Sequence, residues 1–318
     1  MQSLPLSWTL TPNENLVAEI TRLNFNKLVW VPYHALETKA HFYKFISQQT
    51  PNAADELIIR GCNKYHAAEL SKQGFASAQI GIEAILETNG NHFEKKSLLS
   101  LVKRGLRNGK VKLLSYSYSN LRKFELFKKQ TVHSHKPQLQ NLFQTDFTPS
   151  GLLYVFESKE KEWLAAILLS VNSKIKLHTE LILRKPSAPV GVVEALIKQI
   201  YDDAKNNGYK KLSLGEVPFI LKKNSKNNYK IYLAVKLGNM LKFAYNYSGL
   251  YNFKNKFNPK WESVYIAVKP KLKLKHLTFL FIQSNLHNLV SFQLKEYVKQ
   301  VKTLYKHPNF ILRLLDFN

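Results

Sequence analysis

Between residues 152 and 214 the chain commits to a single order of elements. Three apolar, β-branched runs, Leu152–Phe156, Trp163–Val171 and Lys174–Leu183, are separated by short polar turns at Ser158-Lys159 and Asn172-Ser173. A helical pattern from Gly191 to Asn206 follows, punctuated by Gly208, and then a further strand at Lys211–Leu214. Runs of this length and composition predict three antiparallel strands, a helix entered through a tight Pro-x-Gly turn, and a fourth strand. A sheet with a helix laid against it is the only economical way to bury both apolar patterns.

The first half alternates in the same manner. Leu28–Val31 and Glu56–Arg60 predict strands, Lys39–Gln48 and Tyr65–Gln73 predict helices, and Gly74 ends the second helix. Ser77–Ile80 reads as extended, Glu94–Arg107 as helical, Asn108-Gly109 as its stop, and Lys110–Ser115 as a strand. The stretch Thr131–Pro149, with two prolines and His133-Ser134-His135, is the predicted boundary between domains. This gives an N-terminal unit over residues 1–145, a second over 146–270 and a helical tail over 271–318, whose Leu277, Leu280, Phe281, Leu286 and Leu289 follow helical spacing. Lys222–Lys230 reads as an exposed basic loop before a helix over Tyr232–Phe243.

Charge narrows the partners. Forty-seven Lys and Arg against 22 Asp and Glu give +25, which favours nucleic acid or an acidic membrane surface, although AT-rich coding also enriches Lys and Asn. The single Cys62 excludes an intrachain disulfide and fits a reducing compartment. Met1–Pro12 lacks the basic and apolar blocks of a secretory signal, and no run reaches the ~18 apolar residues that span a bilayer. The expected location is the cytoplasm, with peripheral contact at the inner membrane face. Walker, G-x-G-x-x-G, H-E-x-x-H and G-x-S-x-G patterns are missing, so NTPase, dehydrogenase, zinc protease and serine hydrolase chemistry lack support.

Two segments carry a resemblance. Residues 249–265, G-L-Y-N-F-K-N-K-F-N-P-K-W followed by Tyr265, interleave Tyr251, Phe253, Phe257 and Trp261 with Lys254, Lys256 and Lys260. Such a texture suits a flat or anionic ligand held by stacking and charge, and equally a packed aromatic core with a basic outer face. Glu180–Glu194 joins a strand to a helix through Pro186, Ala188, Pro189 and Gly191. Both resemble the soluble C-terminal domain of bacterial phosphatidylglycerol lysyltransferases, whose patterns G-L-x-x-F-K-x-K-F-x-P-x-W and D-L-M-R-R-x-P-x-A-P-x-G-V-M-D they follow. Leu212-Ser213-Leu214-Gly215-Glu216-Val217-Pro218 resembles that family's N-L-G-x-x-P, with Ser213 at the position of its asparagine. Ile80–Ala84 and Lys103–Gly109 resemble its G-E-E-A element and its basic helix.

The resemblance implies an α/β (α+β) fold of two tandem GNAT-type acyltransferase-like domains, with mixed sheets flanked by helices. It implies transfer of an aminoacyl group from charged tRNA to the phosphatidylglycerol headgroup, with no cofactor and no metal. Glu180 would position a proton and Lys254 and Lys256 would neutralise charge. Arg184, Gly191, Glu194, Gly215, Glu216, Tyr251, Phe253 and Trp261 would bind substrate, and Lys103, Arg104 and Arg107 would receive tRNA phosphates. One position departs: the family's arginine three residues after the strand carboxylate is Leu183 here. A bulge that re-aims Arg184, substitution by Lys254, or altered activity are the three accounts of it. A relative that binds anionic lipid or RNA without transfer, and a CoA-dependent N-acyltransferase, are the alternative functions. The pyrophosphate loop Q/R-x-x-G-x-G/A of CoA-dependent relatives does not occur at the Pro-x-Gly turn.

Overall fold

The computed structural model describes residues 18–23, 28–34, 56–173, 175–222, 236, 238 and 241–305. The helix expected over 39–48, the basic loop beyond residue 222 and all but 236, 238 and 241–243 of the helix expected over 232–243 lie outside the described residues.

The fold is mixed α/β: one large mixed sheet flanked by helices. Its strands are β1 (Ala18–Leu23), β2 (Leu28–His34), β3 (Glu56–Cys62), β4 (Ala76–Glu87), β5 (Gly109–Leu114), β6 (Gly151–Ser158), β7 (Trp163–Ser173), β8 (Lys176–Arg184), β9 (Lys211–Pro218) and β10 (Lys260–Lys269). They lie in the order β1-β2-β3-β10-β4-β9-β8-β7-β6-β5. β10, late in the sequence, is inserted between β3 and β4 and pairs antiparallel with both. The sheet therefore runs without interruption across the predicted boundary near residue 145, and the two halves of the chain share strands.

Helices α1 (Lys64–Lys72), α2 (Lys96–Leu106), α3 (Tyr118–Lys128), α4 (Val192–Asn206), α5 (Tyr247–Asn255), α6 (Leu274–Gln283) and α7 (Leu286–Tyr305) cover the faces. α4 forms because Val192, Leu196, Ile200 and Ala204 recur at helical spacing, and all are buried. They pack with Leu98 and Val102 of α2 against Tyr154, Phe156, Ile167 and Leu169 of the sheet. Val192, Leu196 and Ile200 each contribute about 1.5–3 kcal/mol by full burial. The opposite face holds Phe124, Phe127, Phe147, Trp163 and Leu168 beneath α3, and a third cluster joins Trp30, Ile58, Ile266 and Phe279 beneath α6. Cys62 is fully buried, which pushes its thiol pKa up and leaves it inert.

One detail of the sheet creates the cleft. β8 and β9 are parallel neighbours, but their pairing runs only from Lys176↔Lys211 to His178↔Ser213. Beyond that pair β8 follows β7 to Arg184 and β9 follows β4 to Pro218. Two irregularities drive the strands apart. An extra residue in β8, opposite Leu168 and Leu169, makes a bulge at Glu180. In β9, Gly215 adopts φ +85°, a left-handed conformation that a residue with a side chain resists.

Candidate active site at the divergence of two strands

Glu180 is buried at the β8 bulge. Its Oε1 accepts from Ser170 Oγ at 2.5 Å and its Oε2 from the Gln144 main-chain N–H at 2.8 Å. Burial pushes its carboxyl pKa up, against the opposing influence of His178 and these two donors. The loop Thr131–Pro149 thus supplies a ligand to Glu180. The same loop is tied to the C-terminal helices, since Asn141 Nδ2 donates to Gln283 O at 3.0 Å and Asn285 Nδ2 donates to Gln138 O at 2.7 Å.

After the bulge, Leu181 and Leu183 pack on the Phe124–Phe147–Trp163 cluster while Ile182 faces α4. The bulge anticipated as one account of Leu183 is therefore present, but Leu183 itself is an apolar packing residue. Arg184 ends β8 exposed, its carbonyl accepting from Val132 N–H at 3.1 Å.

Lys254 enters the divergence from α5. Tyr247 and Phe257 anchor this helix region to the core, and Asn246 caps it by accepting from Gly249 N–H at 2.9 Å. The Lys254 ammonium is buried and donates to the main-chain oxygen of Glu216 at 3.0 Å. A β-carbon on Gly215 would lie 3.4 Å from Lys254 Nζ and 3.5 Å from Thr179 O, so the amine and β8 border the same point of β9, where the φ of +85° rather than space favours glycine. Burial brings the Lys254 pKa down to about 7, although the carboxylates of Glu216 and Glu83 pull the other way.

Lys256 joins the two motif segments: its Nζ lies 3.2 Å from Glu194 Oε1 and 5.3 Å from the centre of the Phe253 ring. Glu194 is buried in the first turn of α4, whose N-cap Gly191 has φ +96°. Trp261 stacks on Tyr251 with centroids 4.8 Å apart and planes 20° from parallel, and Phe253 meets Phe257 edge-on. Phe257 is wholly buried core; Trp261 also packs against the core while retaining partial exposure. Lys103, Arg104 and Arg107 lie with Lys96, Leu99 and Ser100 along a groove on α2.

Sequence reading missed a buried network at the vertex of the cleft. Glu83 Oε1 accepts from Lys176 Nζ at 2.8 Å and from Ser213 Oγ at 2.5 Å, and His178 Nδ1 lies 3.0 Å from Ser213 Oγ. Burial alone would raise the Glu83 carboxyl; the charge of Lys176 and the His178 contact outweigh it and hold the group ionised well below the usual range. Glu83 and Ser213 lie in segments that carry the resemblance, though neither is a predicted site residue, whereas Lys176 and His178 lie in no motif. Arg60, whose Nη2 lies 2.8 Å from Glu216 Oε1 and 2.8 Å from Oε2, was likewise invisible.

Among the described residues no helix is long and apolar enough to cross a membrane. No curated protein sequence matches the chain closely enough to count as a relative. Three solved structures share the fold. L-PGS from Bacillus licheniformis is 17% identical with a TM-score of 0.66, the match covering 84% of each chain. The C-terminal domain of a putative lysylphosphatidylglycerol synthetase from Agrobacterium fabrum is 17% identical with a TM-score of 0.59, over 83% of this chain and 87% of that one. FemX is 9% identical with a TM-score of 0.52, over 85% of this chain and 89% of that one. Residues 142–268 match the family described as phosphatidylglycerol lysyltransferase, C-terminal, so the resemblance implied by the segments at 180–194 and 249–265 holds for this part of the chain.

Proposed function

We propose that this protein is an aminoacyltransferase that moves an aminoacyl group from charged tRNA to the headgroup of phosphatidylglycerol. The observation that carries the reading is that two distant parts of the sequence meet where β8 and β9 part: α5 brings Lys254 beside Gly215 and the carbonyl of Thr179, the residue before Glu180 on β8. In the reaction an acceptor hydroxyl attacks the carbonyl of the aminoacyl ester. The new ester bond forms, the bond to the tRNA ribose breaks, and the proton of the acceptor passes to the departing ribose oxygen.

The donor already carries an activated ester, so alignment and charge stabilisation are what the protein must supply. Glu180 would take up and return the proton, helped by burial, which raises its carboxyl pKa above the ordinary carboxylate value. Lys254, and Lys256 beside Glu194, would neutralise negative charge developing on the attacked oxygen. Gly191 and Glu194 at the start of α4, Gly215 and Glu216 on β9, and Tyr251, Phe253 and Trp261 around α5 would border the substrates. Arg184 would meet a substrate group from the exposed end of β8. Lys103, Arg104 and Arg107 would take the phosphates of tRNA through sequence-independent contacts. We take residues 1–145 and 146–270 as two acyltransferase-like units on one sheet, with 271–318 as the tail, acting at the cytoplasmic surface of an anionic membrane.

Leu183, fixed in an apolar cluster where the family carries an arginine, favours a second reading: binding of RNA or anionic lipid without transfer. The test is incubation of the protein with radiolabelled lysyl-tRNA and phosphatidylglycerol vesicles, followed by extraction of lipid. Label in the lipid, abolished in Glu180→Gln, supports transfer. Binding of the tRNA with no labelled lipid supports the second reading, and protection against thermal unfolding by acetyl-CoA would point instead to a CoA-dependent enzyme.

A further inference from the structure

Arg60 lies on β3, far from both motif segments in sequence, yet it is coupled to their shared cleft. Its Nη2 lies 2.8 Å from each carboxylate oxygen of Glu216 on β9. The main-chain oxygen of the same Glu216 receives the Lys254 ammonium at 3.0 Å. The Glu216 side chain is held against a glycine: a β-carbon on Gly81 would stand 2.8 Å from its Oε1 and 2.7 Å from Val217 O. The Arg60 and Glu216 side chains are only 13% and 11% exposed, so solvent screens this pair weakly.

The charges around Lys254 come from four elements. Glu216 on β9 and Glu83 on β4 both favour the ammonium form. Glu83 is itself neutralised by Lys176 and, where protonated, His178, both on β8. Glu216 is neutralised by Arg60 on β3. Tyr245, in the turn after Leu241–Phe243, lies where Glu216 raises its phenol pKa and Arg60 lowers it; burial, the larger influence, brings it to about 12. Each carboxylate that would fix a proton on Lys254 is therefore already matched by a cation. A guanidinium is permanently charged, which makes Arg60 the constant member of this set.

We infer that Arg60 is a positioning residue that directs the Glu216 carboxylate away from Lys254 and offsets its charge, so that the positive charge of Lys254 is left for a substrate oxygen rather than engaged by Glu216. The significance of the inference rests on the transferase reading; its test does not. Removing Arg60 takes away a positive charge and uncovers a negative one, and both changes favour the Lys254 ammonium.

The experiment is a pH titration of the full chain with ¹³C-labelled lysine, following the Cε resonance of Lys254 assigned by its loss in Lys254→Met. Expected in the unaltered protein is a midpoint well below those of the surface lysines. Arg60→Gln should raise that midpoint by about one pH unit, a roughly tenfold fall in the neutral fraction, and Arg60→Lys should restore most of it. Glu216→Gln should shift it the other way, an opposite sign that general loosening of the fold would not produce. A folded Arg60→Gln with an unmoved midpoint overturns the inference, as does an ordinary lysine midpoint in the unaltered protein. If Arg60→Gln does not fold, Glu216→Gln decides: a lowered midpoint supports the inference and an unchanged or raised one overturns it. No tRNA or lipid is present, so this result stands apart from success or failure of the transfer assay.

Discussion

Gly105 of α2 and Gly191 at the start of α4 meet backbone to backbone. A β-carbon on Gly105 would run into the Gly191 carbonyl, and one on Gly191 would run into the carbonyl of Leu101. The contact docks the basic helix onto the turn that opens α4, so the cations of Lys103, Arg104 and Arg107 are carried beside the Pro-x-Gly segment. Gly191 adds a second constraint through its φ of +96°. Gly191→Ala should lower stability by about 3 kcal/mol from strain and overlap together, read as a lower urea midpoint with an unchanged slope. Gly105→Ala, with its ordinary backbone conformation, should cost less.

Leu183 makes a prediction about motif repair. Its side chain packs on the cluster of Phe124, Phe147 and Trp163, so Leu183→Arg places a charge among apolar groups. The variant should lose about 2 kcal/mol of stability and gain no transfer of label to lipid. A rise in transfer would show that β8 can turn this position into the cleft.

Glu56 anchors the C-terminal helices through pH-dependent bonds. It accepts from Lys273 Nζ at 2.9 Å, from His276 Nε2 at 2.9 Å, and from Lys275. Burial alone would raise its carboxyl; the bonds from Lys275, Lys273 and His276 prevail and lower it from 4.5 to about 2. A carboxyl depressed by folding contributes stability above its unfolded pKa and loses it as pH falls through the folded value. Discounted for the half-exposed lysines, the contribution is about 2 kcal/mol at neutral pH. Glu56→Gln should therefore unfold at lower urea than the unaltered protein at pH 6, and the gap should close toward pH 2.

The groove on α2 predicts a salt effect. Replacing Lys103, Arg104 and Arg107 by Glu should weaken tRNA binding across sequences alike. The slope of log affinity against log salt should shrink by roughly 0.7 to 0.9 for each phosphate contact removed. Filter binding at several salt concentrations measures both, and an unchanged slope would place the tRNA elsewhere.

Much of the fold was legible in the residues. The three strands and helix over 152–206 appear at Gly151–Ser158, Trp163–Ser173, Lys176–Arg184 and Val192–Asn206, because alternation and 3.6-residue spacing are local consequences of burial. α3 was missed although Ser117 caps it, accepting from Asn120 N–H at 3.1 Å, since its Arg, Lys and Ser dilute the apolar stripe. β4 extends to Glu87, past the stretch Ser77–Ile80, because its interior is buried on both sides and shows no alternation to count. The strand at Lys260–Lys269 went unread because its interior, Val264–Val268, is a continuous apolar run without alternation, and a short run of that kind fits a helix as well as a strand.

What the sequence determined by itself is therefore the set of local elements, the basic excess and the two motif segments, each a property of neighbours along the chain. Tertiary structure decided which of them meet: β10 between β3 and β4, Arg60 on Glu216, Lys176 and Ser213 on Glu83, and Gln144 on Glu180. Glu83 and Ser213 stand 130 positions apart in sequence yet 2.5 Å apart in space. Strand order and bulges set such distances, and these follow from the packing of the whole sheet, which no local pattern encodes.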